Sequence, residues 1–128
     1  MATMQVELVS IEAAIWSGEA SAVYGRTVDG ELGILPGHMP LLGALAPGYP
    51  VRVVQEGGEE LVVAVHGGFL SVRPDGVSIL AEQAEMADDI DVSRARDALN
   101  RADREDEGDA EAARDRALAR LRAAGEQV

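Results

Sequence analysis

The composition of this chain changes abruptly near residue 86, and that break constrains the fold more than any single motif. Met1 to Met86 holds 12 of the 14 glycines, all five prolines and every aromatic side chain, namely Trp16, Tyr24, Tyr49 and Phe69. Ala87 to Val128 holds 11 alanines, 20 charged residues and no proline. Glycine and proline punctuate short strands, whereas an alanine-rich, proline-free stretch favours helix. The chain therefore divides into an all-β domain over residues 1–86 and a helical element over residues 87–128.

Within the first part, β-branched or alternating runs recur at Gln5 to Ser10, Ala20 to Thr27, Val51 to Gln55, Leu61 to Val65, Phe69 to Arg73 and Val77 to Ala81. Turn signals separate them: Val28-Asp29-Gly30, Pro36-Gly37, Ala46-Pro47-Gly48, Glu56-Gly57-Gly58, Gly67-Gly68 and Pro74-Asp75-Gly76. The runs lie too close together for helical crossovers, which predicts a flattened antiparallel β-sandwich or a flattened barrel. In the second part Asp91 is placed to cap a helix reaching about Arg104, with Val92, Ala95, Leu99 and Ala102 on one stripe. A second helix, Asp109 to about Ala124, carries Ala113, Ala117, Leu121 and Ala124 at similar spacing, with Leu118 beside them. The break at Glu105-Asp106-Glu107-Gly108 makes the pair a two-helix antiparallel hairpin. Val92, Leu99, Leu118 and Leu121 are its only sizeable aliphatics, too few to stabilise it alone. It is expected to dock on another surface, and to be movable.

Several chemistries are closed to this sequence. It has no cysteine, which excludes disulfides, thiolate catalysis and cysteine-ligated metals. All 11 basic residues are arginine, so neither a Schiff-base lysine nor a P-loop lysine is available. A net charge of -12 opposes nucleic acid and anionic lipid as main partners. No positive charge precedes the first apolar residues, and no apolar run reaches the roughly 20 residues of a spanning helix, so a soluble or peripheral protein is expected.

The segment GELGILPGHMP, Gly30 to Pro40, is glycine-rich but lacks the Lys-Ser/Thr of a phosphate loop, and no helix is predicted to start there. It reads as a rigid exposed loop, braced by Pro36 and Pro40 and flanked by Ile34, Leu35 and Leu41. Glu31 and His38 are then either polar groups of an interaction surface or ordinary solvated side chains. His38 and His66 have no ligand-spaced carboxylate beside them, and His66 reads as a hydrogen-bonded histidine at a strand end. Asp88, Asp89 and Asp91 read as helix-capping acids. Arg94 lies in the first turn of the first helix, and Arg116 and Arg120 lie one turn apart on the second. Folded back antiparallel, the helices would bring these arginines toward Glu85 and Asp91, where guanidinium groups suit phosphate; the alternative is simple solvation. No nucleophile, base and orienting group can be named together, so no catalytic or metal-binding residue is assigned.

Three stretches resemble the epsilon subunit of the bacterial rotary ATP synthase, in that family's order and spacing: GELGILPGHMPLL (Gly30 to Leu42), VHGGFLSVRPDGVSILAEQAE (Val65 to Glu85) and DIDVSRA (Asp89 to Ala95). The resemblance implies a β-sandwich followed by two helices, in a non-catalytic rotor subunit of the central stalk that couples proton-driven rotation to the catalytic head. It implies gamma-subunit and c-ring partners, a peripheral position on the cytoplasmic face of the bacterial membrane, and contact of the helices with the alpha and beta catalytic subunits. Glu31, Ile34, Leu35, His38 and Leu41 fall in the part similar to the family's c-ring-facing loop. The helices are similar to its regulatory element, folded against the sandwich or extended to inhibit hydrolysis. Some members bind ATP through an I/L-D-x-x-R-A motif, which Ile90 to Ala95 matches in full, with Arg116 and Arg120 fitting the later arginines and Glu85 the upstream acid. A weak regulatory ATP site at Glu85, Asp91, Arg94, Arg116 and Arg120 is thus expected, with no required cofactor. The reading that competes with this resemblance is a free-standing β-sandwich ligand-binding module with a helical dimerisation tail.

Overall fold

The computed structural model describes residues 2–104 and 110–128. The expected break at Glu105 to Gly108 and the expected helix start at Asp109 lie outside the described residues. Seven strands precede two helices: β1 (Met4–Ser10), β2 (Ala14–Thr27), β3 (Gly30–Ile34), β4 (Leu41–Ala44), β5 (Pro50–Gln55), β6 (Glu60–Arg73), β7 (Gly76–Met86), α1 (Val92–Arg104) and α2 (Ala110–Ala123). The strands run in the order β1-β7-β6-β5-β2-β3, β4 lies beside β6, and β1 also pairs with β2, so the path closes on itself.

The fold is the expected β-sandwich with a following helical pair, with one departure in direction. β1 and β7 pair in parallel, Val6 opposite Val77 through Ser10 opposite Ala81. They are the first and last strands, so nearly the whole β-domain serves as their crossover and no helix is needed. The core is aliphatic: Val6, Leu8, Val23, Ile34, Val53, Val63 and Ile79 are fully buried. Each such side chain stabilises the fold by about 1.5–3 kcal/mol.

Two expectations, one of a turn and one of a loop, give way to strand. Gly67-Gly68 is not a turn but the middle of β6, which joins the two predicted runs into one strand of 14 residues. β6 points Val63 and Val65 into the core before the glycines and Leu70 and Val72 after them, a change of parity. β7 changes too, from Val77, Ile79 and Ala81 to Ala84 and Met86. The ladder omits Gly67 and Glu82 and resumes in unchanged register. Both strands therefore swap faces together at one point. Gly68 makes this possible: its φ is +140°, and a Cβ there would stand 2.1 Å from the Leu80 carbonyl oxygen. β7 runs on to Met86 because Ala84 to Met86 pair with Val63 to Val65.

The second change is at Gly30. Its segment was expected to be all loop, yet Gly30–Ile34 forms β3 against Val23 to Thr27. Thr27 closes the intervening turn, its Oγ1 accepting from the Asp29 N–H at 3.2 Å and donating to the Gly30 carbonyl at 3.1 Å. The loop proper is Leu35 to Pro40.

Replacing Gly68 by Ala is expected to cost about 2 kcal/mol or more, from left-handed strain and the Leu80 carbonyl clash. Chemical denaturation followed by far-UV circular dichroism measures this, and an unchanged midpoint would contradict the role given to Gly68.

Candidate functional site

The helical pair is positioned from its first residue. Asp91 Oδ1 accepts the Arg94 N–H at 3.0 Å, the expected N-cap. α1 buries Ala95 and Ala102, while α2, lying between α1 and the sheet, buries Ala117, Leu118, Ala119, Leu121 and Ala123. Asp103 with Arg114 joins the two helices, and Arg96 ties α1 to Glu126 just beyond α2, each at 2.9 Å. α2 makes the main contact with β5 and β6, and α1 packs chiefly on α2. The face of α2 that carries Ala119 and Ala123 is thus covered by the chain's own sandwich.

The seam against the sandwich is small and separate from the main core: Ala119 and Ala123 meet Ala64, with Val62, Ala87 and Ile90 around them. This explains the nearly unbroken apolar run of β6, since Val63 and Val65 face the core while Ala64 faces α2. Two arginines tether α2 beyond the seam. Arg120 makes a forked pair with Glu85, Nε to Oε2 at 2.7 Å and Nη2 to Oε1 at 3.1 Å. Arg122 donates to the Gly48 carbonyl and stacks over Tyr49 at 4.2 Å, with Arg26 at 4.6 Å from the same ring.

A cleft of about 360 Å³ opens between the helices and the end of β7. Glu85, Asp91, Arg94 and Arg120 all line it. Arg116 does not. It lines a neighbouring cavity of about 550 Å³ with His66. The sequence reading missed Arg101, which stands in the cleft with Arg94. Its signal was present: Arg94, Ala98 and Arg101 are spaced i, i+4, i+7, along one helical face. Among the described residues neither Arg94 nor Arg101 appears in an ion pair, so two guanidinium groups are available there to an anion. Burial pushes the Glu85 carboxyl up, but the hydrogen bond and charge of Arg120 together outweigh it and hold its pKa below the ordinary 4.5.

His66 also departs from expectation. It lies within β6, 9% exposed, and its Nε2 has no hydrogen-bond partner. Glu85 Oε2 is 3.8 Å away, too far for a hydrogen bond.

The five residues proposed for a partner-facing loop do not form one surface. Ile34 is fully buried because β3 turns it into the core, and Leu41 is half-buried against that core. Glu31 projects from β3, pairs with Arg26 at 2.9 Å and lines a groove with Tyr24 and Arg52. Leu35 and His38 do share a groove, beside Met39 and the Arg73 to Gly76 turn. The exposed apolar groups at this end are Leu35 at 56% and Met39 at 78%. A second apolar surface is a cross-strand row, Val9, Leu80, Phe69 and Ala44 on β1, β7, β6 and β4. Phe69 and Leu80 are exposed at 51% and 45%.

Residues 3–87 match the family model described as ATP synthase, Delta/Epsilon chain, beta-sandwich domain. The ATP synthase epsilon chain of Thermobifida fusca is 57% identical over 124 residues, covering 93% of this chain and 90% of its own. That of Streptomyces avermitilis is 52% identical over 122 residues, with 95% of each chain covered. The chain belongs to the ATP synthase epsilon-chain family. Its fold is similar to a chain in the cryo-EM structure of the Euglena gracilis mitochondrial ATP synthase, OSCP/F1/c-ring in rotational state 1. The TM-score is 0.74 at 28% identity, covering 94% of this chain and 76% of that one. A chain from the central stalk/c-ring structure of the Tetrahymena thermophila mitochondrial ATP synthase shares the fold, with a TM-score of 0.55 at 17% identity and coverage of 74% of this chain and 71% of that one. Epsilon chains are subunits of an enzyme complex, and the sequence resemblance led to the same family. Among the described residues, no helix is long and apolar enough to cross a membrane.

Removing the guanidinium in Arg120→Ala is expected to weaken docking of α2 by about 1 kcal/mol, a roughly fivefold rise in the released population. Faster amide exchange over Ala117 to Leu121 with unchanged exchange in β1 and β2 would show it. Because the Glu85 pKa is depressed in the docked state, the stabilisation from this pair is present above the ordinary 4.5 and lost as pH falls below it.

Proposed function

We propose that this epsilon-family chain is a non-catalytic rotor subunit of the central stalk of a proton-translocating ATP synthase, with the helical pair as its regulatory element. Residues 1–86 form the torque-bearing body and residues 87–128 the movable part. The observation that carries the regulatory reading is the small alanine seam: Ala64, Ala119 and Ala123 separate two bodies that share no continuous core. Undocking α2 exposes far less apolar surface than opening the sandwich. Released, the helices would extend toward the alpha and beta subunits and inhibit ATP hydrolysis. Docked, they permit turnover. The protein is peripheral, on the cytoplasmic face of the bacterial membrane.

Two surfaces fit two partners. The row through Phe69 and Leu80 gives the gamma subunit a flat apolar contact of the kind found at interface cores. The Leu35, His38 and Met39 end, braced by Pro36 and Pro40, faces the c-ring. Glu31 would contribute from the adjoining edge of β3.

The cleft between α1, α2 and β7 is the proposed site of weak regulatory ATP binding. Asp91 fixes the start of α1, Arg94 and Arg101 supply phosphate donors, and Arg120 is shared with Glu85. Arg116, outside the cleft, would have to swing toward the ligand to take part. Because these residues come from both helices and the sheet, a ligand holding them together favours the docked form by its differential affinity.

Phe69→Asp is expected to weaken binding of purified gamma on the order of 30-fold by placing an unpaired charge in the contact, as read by size-exclusion co-elution and titration. Wild-type affinity in that variant would remove this face from the interface. Isothermal titration with ATP should give heat with the wild-type chain and little with Arg94→Ala or Arg101→Ala. Equal heats from all three would exclude the cleft.

A further inference from the structure

The buried imidazole of His66 stands at the joint between the two bodies. It projects from β6 toward α2, with Nε2 unpartnered. The charged groups around it come from two elements. β7 contributes Glu85, 3.8 Å away, and Glu82 on the same cavity wall; α2 contributes Arg116 and Arg120, together with Glu111 and Asp115 across the cavity. Among the described carboxylates only Glu85 comes within 4.0 Å of the imidazole, and both its oxygens are already held by Arg120. A proton on His66 would therefore enter a largely buried position with two nearby guanidinium groups and one already committed carboxylate.

We propose that His66 is a proton-operated latch: the neutral imidazole lets α2 sit on β6, and protonation in the mildly acid range releases the helical pair. Its direction follows from what leaves. When α2 lifts away, Arg116 and Arg120 go with it, Glu85 is freed and water reaches the ring, so the released form holds the proton better than the docked form. In the docked state burial first, and the Arg120 charge second, lower the His66 pKa below the ordinary 6.5 despite the attraction of Glu85. The linkage sign agrees. A histidine whose docked pKa is depressed favours docking fully above its released pKa, and that contribution is lost as pH falls through about 6.5 and below. Glu85 itself acts only lower, beneath 4.5, so the two effects are separable on the pH axis.

The inference rests on the helical pair being movable, and the test separates the two ideas. Amide exchange of the full chain, corrected for intrinsic rates, is followed over Ala117 to Leu121 from about pH 7.5 to about pH 5.5 for wild type, His66→Gln and Arg120→Ala. For wild type the docked-to-released ratio should fall below pH 6.5, by at most tenfold per pH unit for one proton. His66→Gln should stay nearly flat. The His66 ring signals, followed by NMR in the same chain, should titrate below the ordinary value and together with the loss of protection. If wild type and His66→Gln change equally with pH, or the ring titrates at or above its ordinary value, the latch is overturned. Should Arg120→Ala then still speed exchange at neutral pH, mobility survives without the latch. Should no variant and no pH change it, mobility fails too.

Discussion

The structure depends on the Val62 to Val65 stretch of β6 being covered on both faces. One face closes the sandwich through Val63 and Val65, and the other receives α2 at Ala64. A strand so placed must be apolar throughout, and its burial must not be equally strong on both sides if one cover is to move. The side chains set that inequality. Valine, leucine and isoleucine fill the sandwich, whereas alanine dominates the seam, and each alanine contributes little transfer free energy. The sandwich is fixed and the helical pair is held, in the same strand and one residue apart.

Arginine does the holding. With no lysine in the chain, each tether to the sandwich uses a planar fork or a stacked guanidinium: Arg120 on Glu85, Arg122 on Gly48 and Tyr49. Such contacts are directional and partly solvated, so they define where α2 sits without making it hard to remove. The glycine pair in β6 performs the complementary task. By letting β6 and β7 change faces together, it keeps Leu70 and Val72 in the core and turns Phe69 outward, so that the same two long strands carry the α2 seam at one end and an exposed apolar row at the other.

Much of this was legible in the sequence because it followed local rules. The break at residue 86, the Asp91 cap and the alanine stripes each depend on neighbours within a turn or two. What was not legible depended on partners far away in the chain. Gly67-Gly68 has the composition of a turn, and only pairing with β7 reveals an uninterrupted strand. Ile34 looked like a loop anchor because Gly33 and Gly37 lie on either side of it, yet its register against Val23 carries it inside. His66 read as a hydrogen-bonded strand end, since nothing local indicates that α2 will cover it. Arg101 is the exception: its spacing of seven residues from Arg94 is a local signal that puts both on one helical face. Family resemblance supplied the motif residues of the cleft, but spacing alone could not place Arg116 in the next cavity.

The cleft and His66 adjoin one ion pair, and under the two proposals that arrangement couples them. Glu85 faces the cleft, accepts Arg120 and stands nearest to the imidazole. Anything that strengthens the hold of Arg120 on this corner favours the docked form; anything that adds positive charge beneath it favours release. An anionic ligand in the cleft and a proton on His66 therefore act on the same two-state equilibrium with opposite sign. Their free energies combine through it without any need for a signal to travel across the sandwich. Reciprocity follows: a ligand that stabilises docking must lower the proton affinity of His66, and acidification must weaken the ligand. On the proposed function the rigid body takes no part in that exchange, so it would transmit torque unchanged while the helical pair altered posture.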